Sequence, residues 1–250
     1  MARSGFDGLR VAVTGGTSGL GLALVRELGR RGARVAFVAR GADRVAAVAR
    51  DAATIHGIVG DVSGKDAIYP IAVQVLGELG GLDVLINNAS DLGAVPLRLL
   101  ADTDCEDLER ALATNLLGPF RLTKALLGAL AASAREGRGA LVVNVSSDAA
   151  VTPYPTWGAY GATKAALRHM TSIWDAELES EGVRFLSVDP GDMDTPLHAL
   201  AVPDADRASL KRPDVAALEV LDRIASLLPS TLPSSAGLTN NETTAATGIQ

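Results

Sequence analysis

A single cysteine, Cys105, leaves this chain without an intramolecular disulfide or a cysteine metal cluster. Its three histidines, His56, His169 and His198, share no metal-ligand spacing, so no metal site is expected. No apolar run approaches the ~20 residues that cross a membrane, and the opening MARSGFDGLRVAV lacks an apolar signal core. A cytoplasmic location without membrane attachment is the expectation. Basic residues are outnumbered, 23 against 29 acidic ones, for a net charge of -6. A nucleic-acid partner would want a basic face, so none is expected. Aromatics are only 4% of the 250 residues, so the core must come from Ala, Val and Leu, and the 48% hydrophobic content supplies it. The length allows one α/β domain or two small ones.

Short β-branched runs alternate with longer amphipathic stretches. RVAVT (Arg10 to Thr14), RVAFVA (Arg34 to Ala39), IHGIVGDV (from Ile55), LDVLINN (Leu82 to Asn88), ALVVNVSS (Ala140 to Ser147) and VRFLSVDP (Val183 to Pro190) read as six strands. Helices are expected after each of the first five, with Leu20, Leu24 and Leu28 at helical spacing in the first. The later ones run over 66–79, 104–132 and 157–181. Apolar runs without strict alternation suit strands buried on both faces. Repeated β-α units imply a parallel sheet with right-handed crossovers. Residues 1–228 read as a single domain. From Pro229 the chain turns to PSTLPSSAGLTNNETTAATGIQ, which reads as a flexible tail or linker over 229–250.

Two stretches carry chemistry. After the first strand comes Thr14-Gly15-Gly16-Thr17-Ser18-Gly19-Leu20-Gly21. Glycines at a strand-to-helix turn let backbone N–H groups approach a pyrophosphate at the helix N-terminus. No Lys-Ser/Thr pair follows, so this is not a Walker loop. Further on, AYGATK places Tyr160 and Lys164 four residues apart, on one face of a helix. A neighbouring ammonium favours phenolate, which makes Tyr160 a candidate proton donor or acceptor. Taken alone, such a pair reads first as a half-buried Tyr beside a solvated Lys, because such pairs are common by chance.

The order of motifs resembles the short-chain dehydrogenase/reductase family from about Arg10 to Thr195. The matches are TGGTSGLG, GDV with Asp61 and Val62, NNAS (Asn87 to Ser90), Asn115 in ATNLLG, NVSS ending at Ser147, Tyr160 with Lys164, and DPGDMDT (Asp189 to Thr195). The resemblance implies a three-layer, Rossmann-like, doubly wound parallel sheet. Six strands are evident, and the tail offers no match for the family's seventh.

It also implies roles. Tyr160 would be the general acid/base, and Lys164 would lower its pKa and hold the nicotinamide ribose. Ser147 would bond the substrate oxygen, and Asn115 would hold a water linking Lys164 to solvent. Cofactor contacts would come from Gly15, Thr17, Ser18, Gly19, Leu20, Gly21, Arg40, Asp61, Val62, Asn88, Ala89, Ser90, Pro190, Gly191, Met193 and Thr195, besides Tyr160 and Lys164 themselves. Asn87 would tie the sheet to a helix. Asp61 would meet the adenine amino group, and could equally cap a helix.

Arg40 ends the second strand beside the expected adenosine ribose, and a guanidinium there can pair with a 2'-phosphate. The nearest acid, Asp43, is expected to cap the next helix. NADP is therefore the expected cofactor, ahead of NAD. The substrate would be a small, mainly apolar carbonyl or alcohol, met by Met193, Leu197, Leu200 and Val202 and by Val151, Pro153, Tyr154 and Trp157. A homodimer through the helices at 104–132 and 157–181 is expected. A tetramer would lack the last strand that usually builds it. The alternative is a catalytically silent regulatory protein that binds the cofactor, which would be expected to lose Tyr160 or Lys164.

Overall fold

A computed structural model describes residues 5–229. The tail over 230–250 lies outside the described residues. Strands β1 (Arg10–Thr14), β2 (Arg34–Ala39), β3 (Ile55–Val59), β4 (Val84–Asn87), β5 (Ala140–Val145) and β6 (Val183–Val188) form one sheet. Its order is β3-β2-β1-β4-β5-β6, and every pairing is parallel. This is the doubly wound, Rossmann-like order, in which the chain direction of winding reverses between β1 and β4.

The helices are α1 (Gly19–Arg30), α2 (Ala42–Ala49), α3 (Ile68–Leu79), α4 (Cys105–Leu112), α5 (Gly118–Arg135), α6 (Gly158–Leu178), α7 (Pro196–Ala201) and α8 (Pro213–Leu227). Because side chains alternate along a strand, β1 sends Val11 and Val13 to one face and Ala12 to the other. On the first face, α1 packs Leu20, Leu24 and Leu28 beside Val220, Leu221 and Ile224 of α8. On the second, α3 and α5 pack with Ile71, Val75, Leu122 and Leu126, and Trp174 of α6 joins them. All six residues of β5 are buried, which explains its unbroken apolar run.

Three boundaries differ from expectation. The helix expected over 104–132 is interrupted: a π turn, Ala113–Leu117, separates α4 from α5. Pro119, in the first turn of α5, has no N–H for the carbonyl of Asn115 and its ring crowds that turn, so the backbone widens there. Asp43 is not a cap. Gly41 holds the N-cap position of α2, and Asp43 lies in the first turn. Asp61 does not cap a helix either: its carboxylate accepts from the backbone N–H and the hydroxyl of Ser63, a local turn.

Candidate active site

All six strands point their C-terminal ends at one rim, and the loops leaving them enclose a cavity of about 770 Å³. The glycine loop forms its floor. Gly21 faces the carbonyl of Gly15 and the amide of Asn88 so closely that a Cβ would collide with both. Gly21 itself does not line the cavity; it lets α1 press against the loop. Asn88 donates to the Thr14 carbonyl at 2.9 Å, and the Thr14 hydroxyl accepts from the backbone N–H groups of Asn88 and Ala89, each at 3.0 Å. Thr14 is a contributor that sequence reasoning passed over. Ser18, the N-cap of α1, makes no capping bond with its side chain. The first-turn N–H groups of α1 therefore lack a side-chain partner at the cavity wall, a favourable place for an anion.

At the ends of β2 and β3 the wall carries Arg40, Arg44, Asp61 and Val62. Arg44 folds back over Gly41, with its Nε 3.3 Å from where a Cβ would stand. Asp43 is absent from the wall.

The opposite end is built from β5, the turn after it and α6. Gly161 allows α6 to lie against the carbonyl of Ala149, which a Cβ would meet at 2.8 Å. That approach brings Tyr160 to Ser147, and both line the cavity with Lys164. Lys164 is buried, donates from Nζ to the Val145 carbonyl at 2.8 Å, and stands 5.5 Å from the centre of the Tyr160 ring.

The protonation states depart from expectation. Burial pushes the Tyr160 phenol up to about 12, with the hydrogen bonds of Ser147 and Ser90 pulling the other way. Burial pulls the Lys164 ammonium down to about 8. The expected lowering of Tyr160 by Lys164 is therefore reversed by desolvation, which penalises both charged forms.

Asn115 stands behind the wall. Its side chain is buried in the π turn and is absent from the cavity wall. Its oxygen accepts from the Asp91 backbone at 2.8 Å and from the Ser90 hydroxyl at 3.2 Å, and its nitrogen donates to the Asp91 carbonyl at 2.7 Å and to Thr163 at 2.9 Å. Those bonds hold the loop after β4 against α6. Asn87 ties β4 to Asn144 of β5 and Thr123 of α5, as expected.

After β6, Pro190, Gly191, Met193 and Thr195 reach the wall. The Thr195 hydroxyl caps α7, accepting from the His198 backbone at 3.2 Å. Apart from Gly21 and Asn115, every residue expected at the site lines the cavity. Of the expected substrate contacts, Leu197, Leu200, Val202, Tyr154 and Trp157 do so as well, whereas Val151 and Pro153 do not. Leu92 and Asp148 line it without having been expected. Leu92 comes from the loop after β4, which carries no periodic signal. Asp148 directly follows Ser147, and its sequence signal is only that adjacency.

Comparison with known proteins gives one consistent result. The family model described as short chain dehydrogenase matches residues 10–206. An uncharacterized oxidoreductase of Mycobacterium tuberculosis is 36% identical over 194 residues, 75% of this chain and 55% of the relative. The chain thus spans about half the length of the first curated relatives it matches. A solved structure described as a short chain dehydrogenase/reductase family protein is 31% identical, covers 89% of this chain and 93% of its own, and has a TM-score of 0.77. The fold also matches 3-ketoacyl-(acyl-carrier-protein) reductase from Brucella melitensis, solved with NADH, at a TM-score of 0.80 and 24% identity over 86% of this chain and 90% of that one.

Proposed function

This chain belongs to the short-chain dehydrogenase/reductase family, and from that premise we propose that it is an NADP-preferring oxidoreductase acting on a small, mainly apolar alcohol or carbonyl compound. The observation that carries this reading is the joint placement of Ser147, Tyr160 and Lys164 on the wall that also holds the glycine loop. A silent regulatory protein would not need that trio.

The residues fit a nicotinamide dinucleotide. The glycine loop and the first turn of α1 offer backbone N–H groups to its pyrophosphate. Ser146 Oγ is buried at the wall without a hydrogen-bond partner among the described residues, an acceptor and donor left for a ligand. Arg40 and Arg44 supply positive charge where a 2'-phosphate would lie, and no carboxylate from the end of β2 opposes it. When bound, the nicotinamide supplies the hydride acceptor or donor.

The chain's own residues handle the oxygen and the proton. Ser147 and Tyr160 hold the reacting oxygen from two sides. In reduction Tyr160 gives its phenolic proton to the forming alkoxide, and in oxidation it takes the hydroxyl proton. Lys164 balances the phenolate charge as it develops.

Two variants test the reading. Tyr160→Phe keeps the ring and removes the proton, so turnover should fall by roughly a hundredfold or more, the scale of acid-base catalysis, with dinucleotide still bound. Near-normal turnover would refute the assignment. Arg40→Ala should weaken NADPH binding by about tenfold and leave NADH binding little changed, since a charge-assisted phosphate contact contributes on that scale. Equal losses for both dinucleotides, read by fluorescence titration, would overturn the NADP preference.

A further inference from the structure

The chain has 4 Phe, 2 Trp and 3 Tyr, and three of these nine aromatics stand together on the cavity wall, at Tyr154, Trp157 and Tyr160. Trp157 meets Tyr160 edge-on with ring centres 5.7 Å apart, and Tyr154 lies 6.5 Å from Trp157. Asp148 joins the row: its carboxylate accepts from the Tyr154 hydroxyl at 2.7 Å, the Ser147 hydroxyl at 3.0 Å and the Ala149 N–H at 2.7 Å. A carboxylate has about four acceptor positions. One remains, and Asp148 is exposed to the cavity.

The other charges at this end point the same way. Asp189 and Asp192 also line it, His198 standing 4.0 Å from Asp192, whereas the lysine and arginines lining the cavity are Arg40, Arg44 and Lys164. Arg40 and Arg44 follow β2, three strands from β5, which places them roughly 14 Å away by strand spacing. Lys164 is buried with its Nζ on the Val145 carbonyl. An anionic substrate would meet carboxylates with no cation turned toward it. A cation would meet a carboxylate beside aromatic rings, whose faces attract ammonium groups.

We propose that the substrate end of this cavity takes an alcohol or carbonyl compound that also carries a protonated amine, with the ammonium lying between Asp148 and the rings of Tyr154 and Trp157. The proposal rests on the oxidoreductase reading of the same cavity, and it adds the substrate's charge. It gives Asp148 a double part. It anchors the Ser147 side chain while the site is empty, the hydroxyl turning to the reacting oxygen once substrate is present, and it supplies the charge that selects the amine. Asp148 is ionised at neutral pH: burial raises its carboxyl, but the Tyr154 and Ser147 hydrogen bonds outweigh that and hold it below the usual range.

Three ligands with one carbon skeleton test the proposal by calorimetric titration of the full chain at pH 7 without nicotinamide. They are 2-phenylethylamine, 2-phenylethanol and phenylacetate. The amine should bind about tenfold more tightly than the carboxylate, with the alcohol between, as a single carboxylate with aromatic neighbours warrants. Asp148→Asn, nearly identical in shape, should erase most of the difference between amine and alcohol. Equal affinities for all three, tighter phenylacetate, no measurable amine binding, or an undiminished preference in Asp148→Asn would each overturn the proposal. Should Asp148→Asn fail to fold, Tyr154→Leu decides in its place: it removes ring and hydroxyl together and should reduce amine binding more than alcohol binding, and an equal reduction counts against the site. Because no turnover is measured, failure of the oxidoreductase reading shows separately, as absent hydride transfer to or from any alcohol or ketone.

Discussion

Tyr160 and Lys164 show what four residues of spacing can and cannot reveal. The spacing places both groups on one face of α6, as the sequence indicates. It does not reveal how deeply they are buried, and depth decides the sign of the Tyr160 shift. With the phenol pushed up to about 12 by burial, it stays protonated at pH 7. The resting site therefore holds its proton and is set to donate it. Acting as a base requires that proton to leave first, and the phenolate fraction grows about tenfold for each unit that pH rises toward the pKa. Oxidation of an alcohol should then climb steeply in kcat/KM between pH 6 and 9. Reduction of the matching ketone should stay level until the Lys164 ammonium, pulled down to about 8 by burial, begins to lose its proton. Steady-state assays in both directions across that range would check it, and a flat oxidation profile would count against Tyr160 as the base.

Elements transmit the sequence to the site through close approaches. The first turn of α1 can present its N–H groups because Gly21 lets the helix sit against the Gly15 carbonyl and the Asn88 amide. Gly21→Ala should force these apart, at a cost of about 1–3 kcal/mol for overpacking. For a chain of this size that corresponds to roughly 3–10 °C in melting temperature. Dinucleotide affinity should drop at least tenfold, because the loop and the helix start move together. A variant that melts and binds like the unmodified chain would show that the glycine serves neither purpose.

At this scale the sequence was most readable where periodicity persisted. Leu20, Leu24 and Leu28 face the sheet as their spacing indicates. It was least readable where periodicity survives a change in backbone. Residues 104–132 keep a helical pattern across the π turn at Ala113–Leu117, so one helix was expected where α4 and α5 stand. Pro119 was the local signal, since it cannot donate to the turn before it. Leu92 and Asp148 reach the wall from loops, where only the assembled fold assigns a direction.

The whole molecule is closed at the end of the sheet opposite the cavity by contacts that sequence patterns do not reveal. Asp83, fully buried, accepts from the Arg10 side chain at 2.6 Å, from Arg138 at 2.9 Å and from the Ser133 hydroxyl at 2.6 Å. These partners lie 73, 55 and 50 residues away, joined only because parallel crossovers return each strand start to the same edge. Burial alone would raise the Asp83 carboxyl, but the hydrogen bonds from Arg138, Arg10 and Ser133 outweigh it and hold it below the usual range. A carboxylate with a lowered folded pKa adds stability that is fully present above its unfolded value near 4 and fades as pH falls through the folded one. Asp83→Asn keeps the shape and removes the charge, leaving Arg138, at 17% exposure, without its counter-ion and Arg10, at 14%, with only the outer Glu136 at 3.3 Å. Removing one partner of a buried pair costs about 3–5 kcal/mol, and the partial exposure of the arginines places the loss near the lower figure. The variant should melt roughly 5–12 °C lower at pH 7 and bind dinucleotide normally, the cavity lying at the opposite strand ends. Its deficit should hold from pH 6 to about 5 and shrink as the pH falls on toward 3, because the unmodified chain then loses the same charge. Thermal melts of both proteins across that series would decide the matter, and a deficit that stays constant with pH would mean that Asp83 acts through shape rather than charge.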